Sequence, residues 1–405
     1  MNINKFLKND AFILIVASAF SQIILIVTIP LISRLYTPSE FGYFTVFSNL
    51  ASIFIPIINA RYDLLIINSK SKQEANGYAV ISFIISLFIV GIITVFTFVY
   101  ALFYNHHIFD LVLLSILLIL VSLTNIFTNY LNLLKKYNLV SLITVLRTVL
   151  MVSIQIIFGY IFHSAYALMA GFSMSYIAGI FIGYKHFKMI FQYNYDRNYL
   201  LNLFKDNLSQ LIYSSPSILI NSITFSLSVF LISIIYSNHD TGIYGMGLRI
   251  LTVPVVVAGL GLSKLFMQQA HLNYQKYGSF RTILKKYTVG LIILGLSIYL
   301  PFYLLGGYII SFVLGEQWSG ILEISLPLMI LCFVRLIVST VSLANIVISK
   351  QKMDLLFQFS IFLFTCLSCL SAFILKLTLV QFVYVNCMFL CVCYIVYYLK
   401  LYKYS

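Results

Sequence analysis

Three arginines lie inside strongly apolar segments of this chain, Arg147, Arg249 and Arg335. A guanidinium near the bilayer centre costs on the order of 3 kcal/mol even on the lenient insertion scale, so each needs a physical reason. Arg249 lies near a predicted helix start, from which its side chain could reach outward, whereas Arg147 and Arg335 lack this explanation. Few carboxylates occur at matching depth to neutralise the three charges. They therefore predict an anion site, and phosphate is the anion that arginine grips in a bidentate fork.

Two further arginines are candidates for the same anion site. Arg34 and Arg61 lie at the two ends of the region around the predicted second helix, 42–60. The order Arg61-Tyr62-Asp63 also leaves a plainer alternative open, a local ion pair at a helix end. The sequence does not decide between these two roles for Arg61.

Serine, threonine, asparagine and glutamine recur at helical spacing on several apolar segments. In hydrocarbon such side chains are costly, so the face that carries them indicates what the helix contacts. The alternative is that they only join helices by hydrogen bonds, as in any bundle. Prolines interrupt the same segments, which is typical of the moving core of transporters. We predict a shared polar cavity lined by Gln22, Asn49, Ser52, Asn125, Asn129, Gln210, Ser214, Ser217, Asn221 and Thr224.

Signatures of catalysis and of metal binding are missing from the chain. There is no Walker A loop, no G-x-G-x-x-G after a strand, no H-E-x-x-H and no G-x-S-x-G. The six histidines are scattered, and the six cysteines fall within apolar segments, where buried structural thiols are expected. We predict no catalytic residues, no metal site, no cofactor and no enzymatic activity.

The elements that must position the polar residues are membrane-spanning helices. Of 405 residues, 61% are hydrophobic and 9% are charged, whereas a soluble domain carries roughly 25% charged residues. A spanning helix needs about 20 apolar residues. On this basis the chain is an all-α integral membrane protein with twelve predicted transmembrane helices, at 11–33, 42–60, 78–102, 110–132, 139–162, 165–184, 208–233, 243–267, 287–313, 319–347, 353–375 and 378–399.

The net charge of +14 could indicate nucleic-acid binding, but its distribution indicates membrane topology. With a cytoplasmic N-terminus, 20 of the 25 Lys and Arg residues fall on the cytoplasmic side and only Arg34 and Lys376 on the other. Such an asymmetry follows the positive-inside rule. We predict that both termini are cytoplasmic and that no nucleic acid binds.

A short motif recurs 200 residues later in the chain. Self-similarity at half the chain length suggests two related halves, although chance matches in apolar sequence are the alternative. We predict two pseudo-symmetric six-helix lobes around a central cavity, at 1–184 and 208–405, joined by a cytoplasmic linker at 185–207. The repeated residues are Leu31, Ile32, Ser33, Tyr36 and Gly42, which reappear as Leu231, Ile232, Ser233, Tyr236 and Gly242.

The stretch from Arg34 to Gly42, RLYTPSEFG, resembles the R-L-x-x-P-x-x-F-G signature of the polysaccharide flippases of the MOP exporter superfamily. The Asn59-Ala60-Arg61-Tyr62-Asp63 element and the segments around Ser214 and Arg249 are similar to the same family. The resemblance spans nearly the whole chain and is weakest in the last two predicted helices.

This resemblance implies a flippase in the inner membrane of a bacterium. The substrate would be an O-antigen or related oligosaccharide on undecaprenyl diphosphate, moved from the cytoplasmic to the periplasmic leaflet. Rocking of the two lobes would give alternating access, coupled to a proton or sodium gradient. The diphosphate would meet the arginines, the sugars would meet the polar stripes, and the lipid tail would stay among the membrane lipids.

Two other functions remain open at this stage. The first is a multidrug or small-metabolite antiporter of the same superfamily, but cation extruders need acidic residues in the cavity and predicted helices one, seven and eight contain none. The second is a membrane glycosyl polymerase or acyltransferase. Such enzymes need catalytic polar residues, often on a long external loop, and the predicted external loops here are too short.

Overall fold

A computed structural model of the chain describes residues 10–104, 108–191, 196–347 and 351–405. Within these ranges all regular structure is helical. The helices, in chain order, are α1 Asp10–Leu35, α2 Pro38–Phe54, α3 Tyr62–Leu65, α4 Lys72–Tyr104, α5 Ile108–Leu133, α6 Tyr137–Phe162, α7 Ala165–Met174, α8 Ile177–Phe191, α9 Arg197–Asp206, α10 Ser215–Ile235, α11 Asn238–Leu251, α12 Val253–Tyr277, α13 Arg281–Ile309, α14 Gly320–Val341, α15 Ala344–Val347, α16 Gln351–Leu375 and α17 Leu379–Tyr404.

The prediction of an all-α membrane protein is confirmed. Within the described residues, ten helical segments are long and apolar enough to cross a membrane, or up to eleven if the bent pair α11–α12 counts as one. The predicted number of twelve is not confirmed. The predicted second span, 42–60, corresponds to α2, which has 17 residues and ends at Phe54, two residues before Pro56. Proline lacks an amide hydrogen and disfavours helix in the residue before it, so an end of the helix here is expected.

The chain divides into two compact units. Unit 1 comprises residues up to Thr28 and Val46–Ser226, and unit 2 comprises Ile29–Thr45 and Leu227–Ser405. The boundaries fall inside α1, α2 and α10, so these helices contribute one end to each unit. The lobes 1–184 and 208–405 remain a prediction. The predicted linker includes residues 192–195, which lie outside the described part of the chain, as do the basic residues Lys5 and Lys8.

The linker helix α9 is hydrogen-bonded to the rest of unit 1. The Tyr62 hydroxyl donates to the backbone carbonyls of Phe204 (2.9 Å) and Asn207 (3.1 Å), and its ring stacks on that of Phe204 at 5.5 Å. Asn207 Nδ2 donates to the Tyr78 hydroxyl at 3.0 Å. The Phe204 carbonyl also accepts the Asn207 amide at 3.2 Å, so the Tyr62 hydroxyl adds a second hydrogen bond at the end of α9. The part of the predicted linker that the structure describes is therefore fixed to α3 and α4.

A Tyr62→Phe variant tests this attachment. Loss of the hydroxyl removes both hydrogen bonds to the end of α9, and we expect a loss of about 1 kcal/mol in the local stability of this contact. Amide hydrogen exchange of residues 197–206 should become faster in purified protein. Tyr213→Phe is the matched control, because the Tyr213 side chain is 73% exposed. Equal amide exchange rates of residues 197–206 in Tyr62→Phe and Tyr213→Phe would contradict the attachment of α9 by the Tyr62 hydroxyl.

In unit 2, helices α2 and α11 cross at two glycines of the 200-residue repeat. A Cβ added to Gly42 would lie 1.8 Å from the carbonyl oxygen of Asn238, and one added to Gly242 would lie 1.8 Å from that of Pro38. Pro38 and Asn238 are themselves 200 residues apart. Each side of the crossing therefore makes the same contact with its equivalent, as across a local twofold axis. The backbones approach this closely because glycine has no side chain.

The two helices also begin in the same way. The Thr37 amide donates to Glu40 Oε2 at 2.8 Å, and the Glu40 amide donates to Thr37 Oγ1 at 3.3 Å. Ser237 and Asp240 form the equivalent capping box at the start of α11. Reciprocal caps of this kind satisfy backbone amides that would otherwise lack partners. The repeat thus includes the caps, where the residue types differ but the hydrogen bonds correspond.

Unit 2 also holds the end of α1 by a buried tryptophan. The Trp318 indole Nε1 donates to the Ser33 carbonyl at 2.8 Å, and Gln317 Nε2 donates to the same oxygen at 2.6 Å. The Trp318 ring meets that of Phe41 edge-on at 5.7 Å. A fully buried indole needs a partner for its N–H, and the end of α1 supplies it.

Candidate functional site

A polar cavity of about 450 Å³ lies in unit 1, between the turn after α2 and the helices α5 and α6. Its volume is within the range of small-ligand pockets. The charged residues among those that line it are two arginines and one aspartate. The full lining is Ile55, Pro56, Arg61, Asp63, Leu64, Thr124, Asn125, Thr128, Asn129, Ile143, Thr144 and Arg147.

Helical spacing brings the polar residues of α5 and α6 to this cavity. Asn125 and Asn129 are four residues apart on α5, and Thr144 and Arg147 are three apart on α6, so each pair lies on one face of its helix. The Thr124 hydroxyl is used in packing, because it bonds the Leu120 and Tyr176 carbonyls. The asparagine stripe predicted on this segment therefore faces a polar space.

Arg61 reaches the cavity from a turn with an uncommon backbone conformation. Its φ is 62° and that of Ala60 is 44°, values that residues with a side chain adopt rarely. Asn59 stabilises the turn, since its Nδ2 donates to Ser122 Oγ at 2.7 Å. The Arg61 Nε is buried without a hydrogen-bond partner among the described residues. A turn in an uncommon backbone conformation that carries a buried guanidinium nitrogen without a partner is typical of a functional site.

Arg147 is held from one side by an aromatic ring. Its guanidinium carbon lies 4.6 Å from the centroid of the Tyr176 ring. Stacking on tyrosine fixes the plane of the guanidinium and leaves its N–H groups at the edge available to an anion. The geometry around Arg147 is therefore compatible with the predicted phosphate contact.

Asp63 is the one carboxylate among the residues that line the cavity. It lies in α3, between the candidate spans, with 8% of its surface exposed, and its Oδ2 accepts a hydrogen bond from Asn129 Nδ2 at 2.9 Å. Burial raises the pKa of the Asp63 carboxyl to about 6, against the opposing effects of its own backbone amide, of the Arg61 charge, and of the hydrogen bonds from Asn129 and the Leu64 amide. The carboxylate thus accepts its side-chain hydrogen bond from Asn129, and its relation to Arg61 is a longer-range attraction.

Four of the residues predicted from sequence meet at this cavity: Arg61, Arg147, Asn125 and Asn129. The sequence analysis did not assign Asp63, Thr128 or Thr144 to the site. Thr128 and Thr144 could have been found, because they lie three residues from Asn125 and from Arg147. Asp63 could not, because its neighbour Tyr62 points to the linker helix while Arg61 and Asp63 face the cavity.

The other predicted residues of unit 1 lie away from the described lining of this cavity. A π-helical segment, Gln210–Ser214, precedes α10, and Ser215 Oγ donates to the Gln210 carbonyl at 2.9 Å. One extra residue in a turn rotates the following residues by about 100°, so Gln210 does not keep the predicted α-helical register with Ser217, Asn221 and Thr224 on α10. The Ser52 and Thr224 hydroxyls donate hydrogen bonds to backbone carbonyls of their own helices. Asn221 Oδ1 is buried without a partner among the described residues. The remaining residues are half-buried or exposed, namely Gln22, Asn49, Gln210, Ser214 and Ser217.

The remaining three predicted arginines belong to unit 2. Arg34 is exposed and donates to the Phe312 carbonyl at 3.0 Å. The guanidinium carbon of Arg249 lies 5.8 Å from the centroid of the Phe41 ring, and Arg335 is half-buried on α14. Their roles as anion ligands remain predictions.

Comparison with known protein families identifies the group to which the chain belongs. A family model described as "Polysaccharide biosynthesis protein" matches residues 31–323, which include the cavity and the 200-residue repeat. The chain belongs to this polysaccharide biosynthesis family. A comparison with curated proteins gave no match.

Solved structures show that this member of the family has the fold of MOP superfamily transporters. The lipid II flippase MurJ in an inward closed conformation matches with a TM-score of 0.70 and 16% identity, over 96% of this chain and 87% of that chain. A multidrug resistance MATE family transporter in an inward-facing conformation matches at 0.68 and 16%, over 97% of both chains. A MOP superfamily transporter from Pyrococcus furiosus matches at 0.59 and 16%, over 96% and 94%. At these identities the likeness concerns the fold.

Proposed function

We propose that this protein is a flippase for undecaprenyl-diphosphate-linked oligosaccharides, the repeat units of O-antigen or a related surface polysaccharide. It moves them from the cytoplasmic to the periplasmic leaflet by alternating access. It is a multi-pass protein of the bacterial inner membrane with both termini in the cytoplasm, and a proton or sodium gradient drives it. It carries no enzymatic activity.

The observation that carries this proposal is the cavity of unit 1. Arg61 and Arg147 line it together with one carboxylate and with asparagine and threonine side chains. Two guanidinium groups suit a diphosphate, and amide and hydroxyl groups suit sugars. Membership of a polysaccharide biosynthesis family supports a glycan substrate, and the fold shared with a lipid II flippase supports transport of a lipid-linked one.

Deletion of the gene in its native strain tests this function. We expect the lipid-linked oligosaccharide to accumulate on the cytoplasmic side and the surface polysaccharide to be lost, with both defects reversed by the wild-type gene. The measurement is mass spectrometry of extracted lipid-linked intermediates, together with staining of the surface glycan. An unchanged surface glycan, in a strain with no second exporter, would exclude the proposal.

The second candidate is a multidrug or small-metabolite antiporter, favoured by the fold shared with MATE transporters. The charges of the cavity oppose it, because a cation extruder needs an excess of carboxylates and this cavity has an excess of guanidiniums. Drug resistance of the deletion strain separates the two functions. Increased sensitivity to cationic drugs with a normal surface glycan would favour the antiporter.

A further inference from the structure

The cavity of unit 1 contains one charge that a change of pH can remove. The guanidiniums of Arg61 and Arg147 stay charged throughout the physiological range, whereas the Asp63 carboxylate is buried beside them. With Asp63 ionised, the three groups sum to one positive charge; with Asp63 protonated, they sum to two.

An anion entering the cavity would meet the Asp63 carboxylate at short range. Like charges that share a buried space repel each other and are weakly screened, so one of them is best neutralised. Protonation of Asp63 removes the repulsion and leaves both guanidiniums to the anion. Asn129, whose Nδ2 bonds the carboxylate, can still donate to the carbonyl oxygen of the protonated acid.

We infer that Asp63 links anion binding in this cavity to the uptake of one proton, so that the diphosphate of the substrate and the proton bind together. This inference rests on the proposed function, because it assumes that the cavity receives the diphosphate group. A proton carried outward with the substrate would move against an inward proton gradient, so under this inference the sodium gradient is the one that drives export. The proton and the substrate do not compete for this site.

Among the residues that line the cavity, Asp63 is the one whose charge is expected to change between pH 5 and pH 8. The helices α5 and α6 line the cavity with hydroxyl and amide side chains and with Arg147, and the turn contributes Arg61. On α4, which packs against α3, Glu74 accepts from the Lys70 amide and Tyr78 accepts from Asn207 on the linker side. Tyr62 is bonded to the end of α9. Burial raises the pKa of Asp63 to about 6, within the range that cells experience.

The test uses the full-length protein in lipid nanodiscs and a soluble diphosphate diester, P1,P2-dibutyl diphosphate. A diphosphate diester keeps one negative charge on each phosphate between pH 5.5 and pH 7.5, so protonation of the ligand does not contribute to the pH dependence of binding. With an Asp63 pKa of about 6, the protonated fraction rises from about 3% at pH 7.5 to about 76% at pH 5.5. If the protonated form alone binds, the affinity increases by about 25-fold over this range.

Isothermal titration calorimetry in buffers of different ionisation enthalpy would also count the protons taken up, with nearly one expected at pH 7.5. In Asp63→Asn we expect affinity at pH 7.5 close to that of the wild type at pH 5.5, with no proton uptake. The matched control is Glu74→Gln, which removes a carboxylate outside the cavity lining and should keep the wild-type pH dependence.

The outcomes separate this inference from the proposed function. Binding of the diester with no pH dependence and no proton uptake would overturn the proton linkage and leave the anion site standing. A pH dependence that survives in Asp63→Asn would also overturn it. Absence of binding at both pH values, in protein that elutes as a single species, would overturn the anion site and the inference together.

Discussion

Alanine at Gly42 or Gly242 is expected to prevent stable folding. A Cβ at either position would lie 1.8 Å from a backbone carbonyl oxygen, of Asn238 or of Pro38, and these helix starts are fixed by their caps. Overpacking usually costs 1–3 kcal/mol, and a clash with backbone on both helices should exceed about 3 kcal/mol. We expect a large loss of monodisperse protein after extraction in mild detergent, and a lower melting temperature of what remains.

The matched control is Gly290→Ala in α13, where an added Cβ would meet nothing within 4 Å. There the substitution should be neutral or slightly stabilising, since alanine is the better helix former by about 1 kcal/mol. Equal yield and melting temperature for Gly42→Ala and Gly290→Ala would contradict the close crossing of α2 and α11.

Loss of the Arg147 side chain is expected to impair transport without unfolding the protein. A charge-assisted, bidentate contact to phosphate is worth about 1.5–3 kcal/mol, so Arg147→Ala should weaken binding of the diphosphate by about 10-fold to 150-fold. Arg147→Lys keeps the charge but not the fork, and we expect an intermediate effect. The measurement is restoration of surface glycan in the deletion strain, with protein level followed by immunoblot.

Arg281 provides a matched control for this experiment. Its guanidinium carbon also lies over a tyrosine ring, 4.3 Å from the centroid of Tyr402, but it is not among the residues that line the cavity. Arg281→Ala should therefore restore the glycan as well as the wild type does. Full restoration by both Arg147→Ala and Arg147→Lys would show that Arg147 has no role in anion binding.

The properties that could be predicted from sequence are those that depend on the local composition of the chain and on the spacing of its polar residues. The apolar segments predict helices because a backbone in lipid must satisfy its own hydrogen bonds, and each segment is mainly helical in the structure, although α2 ends at Phe54 and several segments are divided between consecutive helices. The spacing of Asn125 and Asn129 also predicts one polar face, and both line the cavity.

Other features depend on contacts between distant segments. Asp63 follows a turn in which Ala60 and Arg61 have a positive φ, and no sequence pattern marks that conformation. The π-helical segment at Gln210–Ser214 moves Gln210 out of register with α10, although the residue spacing fits an ordinary helix. The repeat predicted that Gly42 and Gly242 are equivalent, but their mutual contact is visible only in three dimensions.

The mutual contact of Gly42 and Gly242 also determines which substitutions are tolerated at the residues beside the crossing. In a symmetric dimer of identical chains, any substitution beside the axis appears on both faces at once and must fit against itself. Here both faces lie in one chain, so each position can be changed alone. Thr45 and Gly245 show the result: a Cβ on Gly245 would lie 2.7 Å from the Thr45 methyl group, so the hydroxyl-bearing side chain on one face fills the space that the bare backbone on the other leaves open. Two threonines could not be accommodated there, and two glycines would leave a void.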